Sequence, residues 1–505
     1  PASRKMMAPM PTLTTPPIPV ATPIRINITK EPIMKKTNTA PARLGFISAL
    51  LLTLAGCAGL APQSSLEQVQ KQSVELTRQD SLHWATEQDQ PPAVRERISE
   101  LLAKPLALED AVEIALMNNP GLQARLFDLG IADTQRVQAS RLPNPGFSIG
   151  RMTRGSEVEW ERGLHLNLAS LIALPLTRRI AEGQNAQVQR EVSLSVMRLA
   201  TDTRIAWYRA VAAQQSLAYS EQVLQAADAG AEMARRMASV GNYSALQQAR
   251  EQSFYAEAAL ANLQARRERT ASHERLVRLL GLWGEQTDFS LPERLPDVPE
   301  QPLDQPDIEQ QAMARRLDVQ AARKGAERLA TNLKLGKATR FINVLELGVS
   351  NNSSNEEPLQ RGYEITVELP LFDWSGARMA ANEARYMQQL QLTAEVAINA
   401  RSQVRESYQA YRTAWDVAAH YRDEIVPLRK RISEENMLLY NGMFIGVFEL
   451  LADSREQVAT VNRYLQAQSD FWVAQSELDL VRFGPVAPSE AASAVTTSAS
   501  PAGGH

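Results

Sequence analysis

The sequence predicts a mainly α-helical fold with a small β part, in which a strand pair followed by a long coiled-coil helical hairpin occurs twice. Two observations predict this fold: small and apolar residues repeat at a 3.5-residue period over long stretches, and the two halves echo each other about 200 residues apart. The composition agrees, because aromatic residues make up only 6% of the 505 residues while Ala, Gln, Arg, Glu and Leu dominate. Such a mixture favours long helices over a compact α/β enzyme core.

Charge and chemistry exclude several classes of protein. The 54 Lys and Arg residues are balanced by 57 Asp and Glu residues, and no basic stripe with interleaved aromatics indicates nucleic acid as a partner. The five histidines are scattered without a metal-ligand spacing, and no Gly-rich phosphate loop or Ser/His/Asp arrangement occurs. The methionines at helical spacing indicate packing rather than copper binding. We therefore predict no catalytic residue, no metal site and no cofactor.

The only cysteine, Cys57, lies in a secretory signal. A basic segment starting at Met34 precedes an apolar stretch that is too short to span a bilayer, and the string Leu-Ala-Gly-Cys follows. This string resembles a bacterial lipobox, which implies cleavage before Cys57 and lipidation, including palmitate, of the new N-terminus. The alternative is a free thiol. Residues 1–33 are Pro- and Thr-rich and are interpreted as an over-extended reading frame.

Two coiled-coil seams predict the first arm of each helical hairpin. Apart from Gly183 and Gly230, no Gly or Pro interrupts residues 176–240, and none occurs between Gly376 and Pro427. Helices of this length reach on the order of 75 to 100 Å. The seam residues step by alternating fours and threes, and each member of the second set lies 201 positions after its counterpart: Val192, Val196, Leu199, Thr203, Ala206, Ala210, Ala213, Leu217, Ser220 and Leu224, then Thr393, Ala397, Ala400, Val404, Ser407, Tyr411, Ala414, Ala418, Tyr421 and Ile425.

A turn and a second helix follow each seam. The sequence from Val240 through Gly241 leads to Arg250-Glu251-Gln252, and the sequence from Ile445 through Gly446 leads to Arg455-Glu456-Gln457, at an offset of 205. Glycine provides the break between two antiparallel helices. The return arms are predicted over residues 247–281 and 449–483.

A strand pair precedes each hairpin. Residues 363–369 alternate apolar and polar side chains, residues 164–168 do the same 201 positions earlier, and upstream partners are predicted at 147–152 and 341–350. The alternative is a pair of half-buried strands in a soluble sheet. In lipid, every strand edge must be paired, so four strands per chain require several chains, and three chains would close a barrel of about twelve strands with a lumen. The polar faces would line that lumen with His165, Asn167, Glu346, Glu364, Thr366 and Glu368.

Three strings resemble the TolC-like outer-membrane efflux proteins. LALEDAVEIALMNNPGLQARLFDLGIADTQRVQASRLPNPGFSIG resembles the opening of that family's first repeat, YEITVELPLFDWSGAR its second strand-to-helix junction, and MLLYNGMFIGVFELLADSREQ its periplasmic hairpin tip. The resemblance covers roughly residues 100 to 484. It implies a homotrimer with a twelve-stranded β-barrel above a long α-helical barrel, which docks to a periplasmic adaptor (membrane fusion protein) and an inner-membrane efflux pump. With Cys57, the lipoprotein branch of metal and drug efflux systems is indicated.

The resemblance also suggests a periplasmic aperture. Glu449 falls where the family often carries an aperture Asp, and Asp453 lies one turn further on, so three copies would form an acidic ring; the alternative is a solvated helix charge. Tyr440 matches a tip tyrosine of the family. Gly241 and Ser244 in the first tip and Gly446 in the second are expected to shape the turns that an adaptor contacts, although plain turn geometry explains the glycines equally well. Arg250 and Arg455 are expected to be ordinary exposed charges, with ion pairs as the alternative.

The predicted organisation is as follows: residues 1–33 a non-native extension, 34–56 a lipoprotein signal peptide, 57–104 a lipid-anchored linker, 105–285 the first repeat, 286–309 a Pro-rich linker, 310–484 the second repeat, and 485–505 a disordered tail. The expected function is a passive exit duct in the outer membrane of a Gram-negative bacterium. The alternative is a lipid-anchored periplasmic coiled-coil adaptor or structural protein, which would carry one hairpin between small β domains rather than two duplicated units. The sequence of a passive duct does not specify which substrate it conducts.

Overall fold

The computed structural model describes residues 62–79, 82–84, 91–338, 344–367 and 375–486, which all belong to one compact unit. Cys57, Glu368, the segments predicted as extension and signal, and residues 487–505 of the predicted tail lie outside these residues. The elements, in chain order, are α1 Pro62–Thr77, α2 Pro92–Leu102, α3 Leu108–Asn118, α4 Pro120–Ser140, β1 Gly146–Arg154, β2 Glu157–Asn167, α5 Leu168–Ser239, α6 Ala245–Leu280, a 3₁₀ turn Gly284–Thr287, α7 Ile308–Arg315, α8 Leu317–Ala338, β3 Leu345–Ser354, β4 Gln360–Val367, α9 Gly376–His420, a π segment Tyr421–Ile425, α10 Val426–Asn441 and α11 Val447–Val481.

The duplication expected from the sequence is present in the structure. In each half, a short helix and a longer helix lead into a strand pair, which is followed by a long helix, a tight turn and a returning helix. The strands pair antiparallel in the order β1-β2-β3-β4, so the two hairpins join through β2 and β3 into one sheet. The mainly helical fold with a duplicated strand pair and hairpin is therefore confirmed.

Helix α5 begins earlier than the sequence indicated. It spans 72 residues, about 108 Å at 1.5 Å per residue, and starts at Leu168 because the Asn167 side chain accepts a hydrogen bond from the Ser170 N–H at 2.8 Å. Pro175 lies inside this helix, where the sequence analysis had placed the helix start after it. A proline removes one backbone donor and crowds the preceding turn. The other backbone bonds of the helix continue across this position.

The first arm of the second hairpin is interrupted near Pro427. Helix α9 ends at His420, the π segment Tyr421–Ile425 widens the next turn, and helical structure resumes in α10 with Pro427 in its first turn. Proline has no N–H and its ring clashes with the carbonyl four residues earlier. A one-turn widening accommodates that clash without ending the helical arm.

Aromatic side chains hold the two hairpins together at mid-length. Trp207 and Tyr208 of α5 are buried, and the Trp207 indole N–H donates to the Leu106 carbonyl at 2.8 Å. Tyr208 stacks on Trp472 of α11 with ring centroids 5.2 Å apart. On the second hairpin, Tyr411 of α9 packs against Phe471 of α11 at 5.6 Å. The helices that carry the seams are therefore packed together through a buried aromatic core at mid-length.

The segment before residue 105, expected to be a linker, contains helices that pack on the core. Val69 of α1 is fully buried in a cluster with Leu126 of α4 and Val196 of α5. Ile98 of α2 is buried against α5 residues near Trp207. Within α1 and within α2, the buried residues recur every three or four positions. Short amphipathic helices of this kind depend on tertiary packing for their stability.

Within the described ranges, no helix combines the length and the apolarity that crossing a membrane would require.

The C-terminal end of α6 is closed by a glycine at a position that has no room for a side chain. Gly281 has φ +68°, and a Cβ at this position would lie 2.7 Å from the Asn118 carbonyl oxygen. The Asn118 side-chain amide donates to the Leu280 and Gly281 carbonyls, each at 2.8 Å. Replacing Gly281 with alanine is expected to lower the free energy of unfolding by about 2–3 kcal/mol, because left-handed strain and a backbone clash add.

Gly241 offers a matched control for this substitution. It has φ +81°, but a Cβ there meets nothing within 4 Å. Gly241→Ala is therefore expected to lose only about 1 kcal/mol, from backbone strain alone. Urea unfolding followed by circular dichroism compares the two variants, and equal losses would contradict the clash at Gly281.

Candidate functional site

The four strands form a sheet with one polar and one apolar face. Cross-strand pairing aligns Asn167 with Glu346 and Thr366, and it aligns His165 with Gly348 and Glu364. Because side chains alternate along a strand, the residues aligned in these rows share a face. The described residues of that face are Gly146, Ser148, Gly150, Met152 and Arg154 on β1; Glu157, Glu159, Glu161, Gly163, His165 and Asn167 on β2; Glu346, Gly348, Ser350, Asn352 and Ser354 on β3; and Gln360, Gly362, Glu364 and Thr366 on β4.

The structure thus brings five of the six polar residues named from the sequence to one face, and the sixth, Glu368, lies outside the described residues. Four of them also make local contacts. Asn167 caps α5, as described above, and the His165 ring nitrogen Nε2 lies 2.8 Å from the Ser148 hydroxyl. The Thr366 hydroxyl donates to the Glu364 carboxylate at 3.3 Å.

Three further acidic residues on this face were missed in the sequence. Glu157, Glu159 and Glu161 belong to β2, which extends seven residues further towards the N-terminus than the strand predicted from Leu164. Together with Glu346 and Glu364, they make the polar face acidic, against a single described arginine, Arg154. The alternation Glu-Val-Glu-Trp-Glu-Arg over residues 157–162 was the available signal.

The opposite face exposes large apolar side chains. Phe147 is 68% exposed, Ile149 60%, Tyr363 80% and Ile365 59%. Trp160 lies on the same face and carries the Arg151 guanidinium 5.7 Å from its ring. A contiguous apolar face of this size indicates contact with lipid or another protein, since water-soluble chains rarely leave one uncovered.

The two hairpin loops are bound to each other. Asn355 accepts a hydrogen bond from the Val158 N–H at 2.7 Å and donates to the Ser156 carbonyl at 2.8 Å, and the Ser156 hydroxyl donates to Glu356 at 3.3 Å. These contacts join residues about 200 positions apart and hold the two repeats in register at the loop end of the sheet.

At the other end of the long helices, the first hairpin turns through Gly241. The Gly241 and Asn242 N–H groups donate to the carbonyls of Ala238 and Met237, and Gly241 takes the left-handed conformation that closes a helix C-terminus. Ser244 then begins α6: its hydroxyl accepts from the Gln247 N–H at 3.3 Å, while the Gln247 side chain accepts from the Ser244 N–H at 2.7 Å.

The second tip uses different residues for the same turn. Met443, with φ +62°, takes the left-handed position, whereas Gly446 has φ −85° and lies at the start of α11. The equivalent residues are therefore Gly241 and Met443, and Ser244 and Gly446, at an offset of 202. The alignment of Gly241 with Gly446 at an offset of 205 was wrong, because two glycines with different backbone roles were matched by residue type.

Replacing Met443 with glycine is expected to stabilise the second tip by about 0.5–1 kcal/mol, because the methionine pays left-handed strain that glycine does not. Met443 is 92% exposed, so little packing is lost. Met437, an exposed helical methionine of α10, is the control: Met437→Gly should destabilise by about 1 kcal/mol. Hydrogen exchange of the tip amides measures the local stability of both variants. Faster exchange in Met443→Gly would contradict left-handed strain at Met443.

Glu449 and Asp453 occupy different environments. The Glu449 carboxylate is exposed and accepts a hydrogen bond from the Gly446 N–H at 2.8 Å, so it acts as a helix cap. Asp453 is only 8% exposed, and its Oδ2 atom lacks a hydrogen-bond partner among the described residues. At the offset of 202, the counterpart of Asp453 is Glu251, which is 3% exposed. Each tip thus buries one carboxylate at the same position.

An ion pair connects the two tips. The Arg455 guanidinium of α11 lies 3.0 Å from the buried Glu251 carboxylate of α6 and 4.5 Å from the Phe254 ring. The expectation that Arg455 is an ordinary exposed charge was therefore wrong, whereas Arg250 is exposed. Burial raises the pKa of the Tyr243 hydroxyl, and Glu251 and Tyr440 raise it further. The ion pair of Arg455 and Glu251 thus joins the second hairpin tip to the first.

Comparison with known proteins rests on structure. No protein-family model matches the sequence, and a search of curated proteins finds no match either. Solved structures do match: CmeC of Campylobacter jejuni, an outer membrane channel, has a TM-score of 0.63 and 13% identity over 82% of this chain and 91% of CmeC. The outer membrane protein VceC of Vibrio cholerae has a TM-score of 0.62 and 14% identity over 75% and 96%. CusC has a TM-score of 0.60 and 15% identity over 75% and 92%.

The fold is that of the TolC-like outer-membrane channels. The similarity covers most of the described chain and includes both repeats, which agrees with the resemblance inferred from the sequence. The two features described above lie at opposite ends of the long helices. These are the sheet with a polar and an apolar face, and the pair of tips joined by Arg455 and Glu251.

Proposed function

We propose that this protein is the outer-membrane exit duct of a tripartite efflux system and conducts substrate passively. The observation that carries the proposal is the sheet, acidic on one face and apolar on the other, at one end of two long helical hairpins. Its strands contain 8 to 11 described residues, close to the roughly 9 to 11 that a tilted strand needs to cross a bilayer.

The unpaired edges of this sheet support a trimer. Strands β1 and β4 form its outer edges, and within the described part of the chain neither edge has a further strand partner. In lipid such edges must be paired. Three copies joined β4 to β1 would close a twelve-stranded barrel, with the acidic face lining the lumen and the apolar face meeting lipid.

The acidic face supports conduction that favours cations. Glu157, Glu159 and Glu161 follow one another along the polar face of β2, and three copies would ring the lumen with carboxylates. The other elements of the proposal are lipidation at Cys57, a periplasmic position of the helical hairpins, and docking of their tips to a periplasmic adaptor and an inner-membrane pump. The exposed apolar residues of the second tip, Met443 and Phe444, support docking at that end.

Planar-bilayer recording of the purified protein tests the proposal. We expect pores from a trimer, with a reversal potential in a KCl gradient that indicates preference for K⁺. Glu157→Gln, Glu159→Gln and Glu161→Gln combined should reduce that preference, while Arg361→Gln on the opposite face should leave it unchanged.

Two outcomes would contradict the exit duct. A purified trimer that forms no pore would exclude conduction. A Cys57→Ser variant that is extracted by carbonate and behaves as a soluble monomeric rod would instead support the lipid-anchored adaptor.

A further inference from the structure

Three arginines stand on the apolar face of the sheet. Arg162 of β2 pairs with Asn351, and Asn351 pairs with Arg361 of β4, so both arginines share one cross-strand row. Arg151 of β1 lies in the next row of the same face towards the hairpin loops, opposite Trp160. All three are exposed, and we name them the arginine row. No Asp or Glu of the described strands lies on this face, because the acidic residues of the sheet are all on the other one.

The arginine row stands at the border of the apolar surface. The adjoining cross-strand row towards the helices contains Phe147, Leu164, Val349 and Tyr363, and more aliphatic residues follow below it. On β3, the apolar surface extends from Leu345 to Asn351, which is six residue steps or about 20 Å along the strand. A ligand of this surface therefore needs long apolar chains beside an anionic headgroup, which is the chemistry of a lipid.

The spacing of the guanidinium groups favours a headgroup with more than one phosphate. Arg162 and Arg361 are separated by one strand, so their backbones lie about 10 Å apart, and Arg151 is a diagonal neighbour of Arg162 at about 7–8 Å. Arginine binds phosphate oxygens with two parallel hydrogen bonds. A glycerophospholipid offers one phosphodiester, whereas a bisphosphorylated glycolipid offers two phosphates a disaccharide apart.

We propose that the arginine row binds the phosphates of a bisphosphorylated glycolipid, of the lipid A type, in the outer leaflet around the duct. The proposal rests on the proposed function, because it requires the apolar face to meet the outer membrane with the hairpin loops on the outside. It assigns a role to charges that the conducting path does not use. The acidic lumen face repels phosphate, so the same sheet separates cations inside from anionic headgroups outside.

The test measures lipid binding to the full-length trimer by native mass spectrometry with bisphosphorylated lipid A, fully dephosphorylated lipid A and phosphatidylglycerol. The unmodified protein should bind bisphosphorylated lipid A most tightly. Arg151→Gln, Arg162→Gln and Arg361→Gln combined should weaken this binding by about a hundredfold, at roughly fivefold per surface arginine, and leave dephosphorylated lipid A unaffected. Arg154→Gln, on the polar face of the same sheet, is the control and should bind like the unmodified protein.

The outcomes separate this proposal from the exit duct. If the unmodified trimer forms pores but binds dephosphorylated lipid A or phosphatidylglycerol equally well, the arginine row is not a site for this glycolipid although the duct stands. The same holds if the triple variant forms pores and keeps its affinity. If the triple variant does not fold, the comparison of the three lipids on the unmodified protein still decides. If the unmodified trimer forms no pore, the proposed function fails by its own measurement.

Discussion

Replacing Arg316 with alanine is expected to lower the free energy of unfolding by about 3–5 kcal/mol, because removal of one partner of a buried ion pair leaves several polar groups without a bond. Arg316 is 1% exposed and lies between α7 and α8. Its guanidinium binds the Asp318 carboxylate at 2.7 and 3.0 Å and the Gln403 side chain at 3.0 Å. It also donates to the Val481 carbonyl at 3.3 Å and the Ala400 carbonyl at 3.4 Å.

Arg316 therefore connects the start of α8 to both arms of the second hairpin. The neighbouring Arg315 is the matched control: it pairs with Glu75 at 2.6 Å, but the two side chains are 47% and 56% exposed. Exposed pairs of this kind contribute little, so Arg315→Ala should lose about 0.5 kcal/mol or less. Asp318→Asn should resemble Arg316→Ala, because it leaves the buried guanidinium without its counter-charge.

Urea unfolding followed by the helical circular dichroism signal compares these variants. If Arg316→Ala lowers the free energy of unfolding by no more than Arg315→Ala does, the buried ion pair does not stabilise the fold. Should Arg316→Ala fail to fold, Asp318→Asn supplies the same comparison with a smaller change in side-chain volume.

In the proposed duct, replacing Arg455 with alanine is expected to separate the hairpin tips, open that end and raise single-channel conductance. The bond between Arg455 and Glu251 holds α11 against α6 at the tips, and Glu251 is buried while the Arg455 side chain is 33% exposed. Loss of a partly buried pair costs about 1–3 kcal/mol of the joined arrangement. This corresponds to a shift of roughly five- to a hundred-and-fiftyfold towards separated tips. Glu251→Gln should have the same direction and a smaller effect, since an amide still accepts a hydrogen bond.

Glu456 provides the control at the next position. It pairs with Arg429 at 3.1 Å, within the second hairpin and with a side chain 59% exposed. Glu456→Gln should leave conductance unchanged, because the pair of Glu456 with Arg429 lies within the second hairpin. Bilayer recordings compare the three variants with the unmodified protein, and an Arg455→Ala channel of unaltered conductance would exclude the pair as a tip fastening.

The tip also shows where sequence comparison within one chain reaches its limit. Residue types suggested that Gly241 corresponds to Gly446, yet the backbone assigns Gly241 to Met443. Glycine marks a left-handed turn only when the chain uses it there, and Gly446 begins a helix in an extended conformation instead. Consequently, residue types alone did not indicate that Glu251 and Asp453 occupy equivalent buried positions in the two repeats.

Local periodicity determined most of the architecture. The 3.5-residue seams on α5 and α9 and the two-residue alternation on β2 and β4 are properties of a few neighbouring residues, so they can be read without knowing the fold. Even there the prediction was incomplete: β2 begins at Glu157, where the alternating residues 157–162 continue the strand and pair with β1 and β3.

By itself, the sequence determined the duplicated strand pair and hairpin, the sidedness of the strands, and the approximate positions of the long helices. Only the tertiary structure decided that β2 pairs with β3, that Arg316 is buried while Arg315 is exposed, and that Arg455 reaches Glu251 across 204 positions of chain. The physical reason is that periodicity is set by backbone geometry within one element. The energy of a charge, by contrast, depends on burial and partners that distant segments supply.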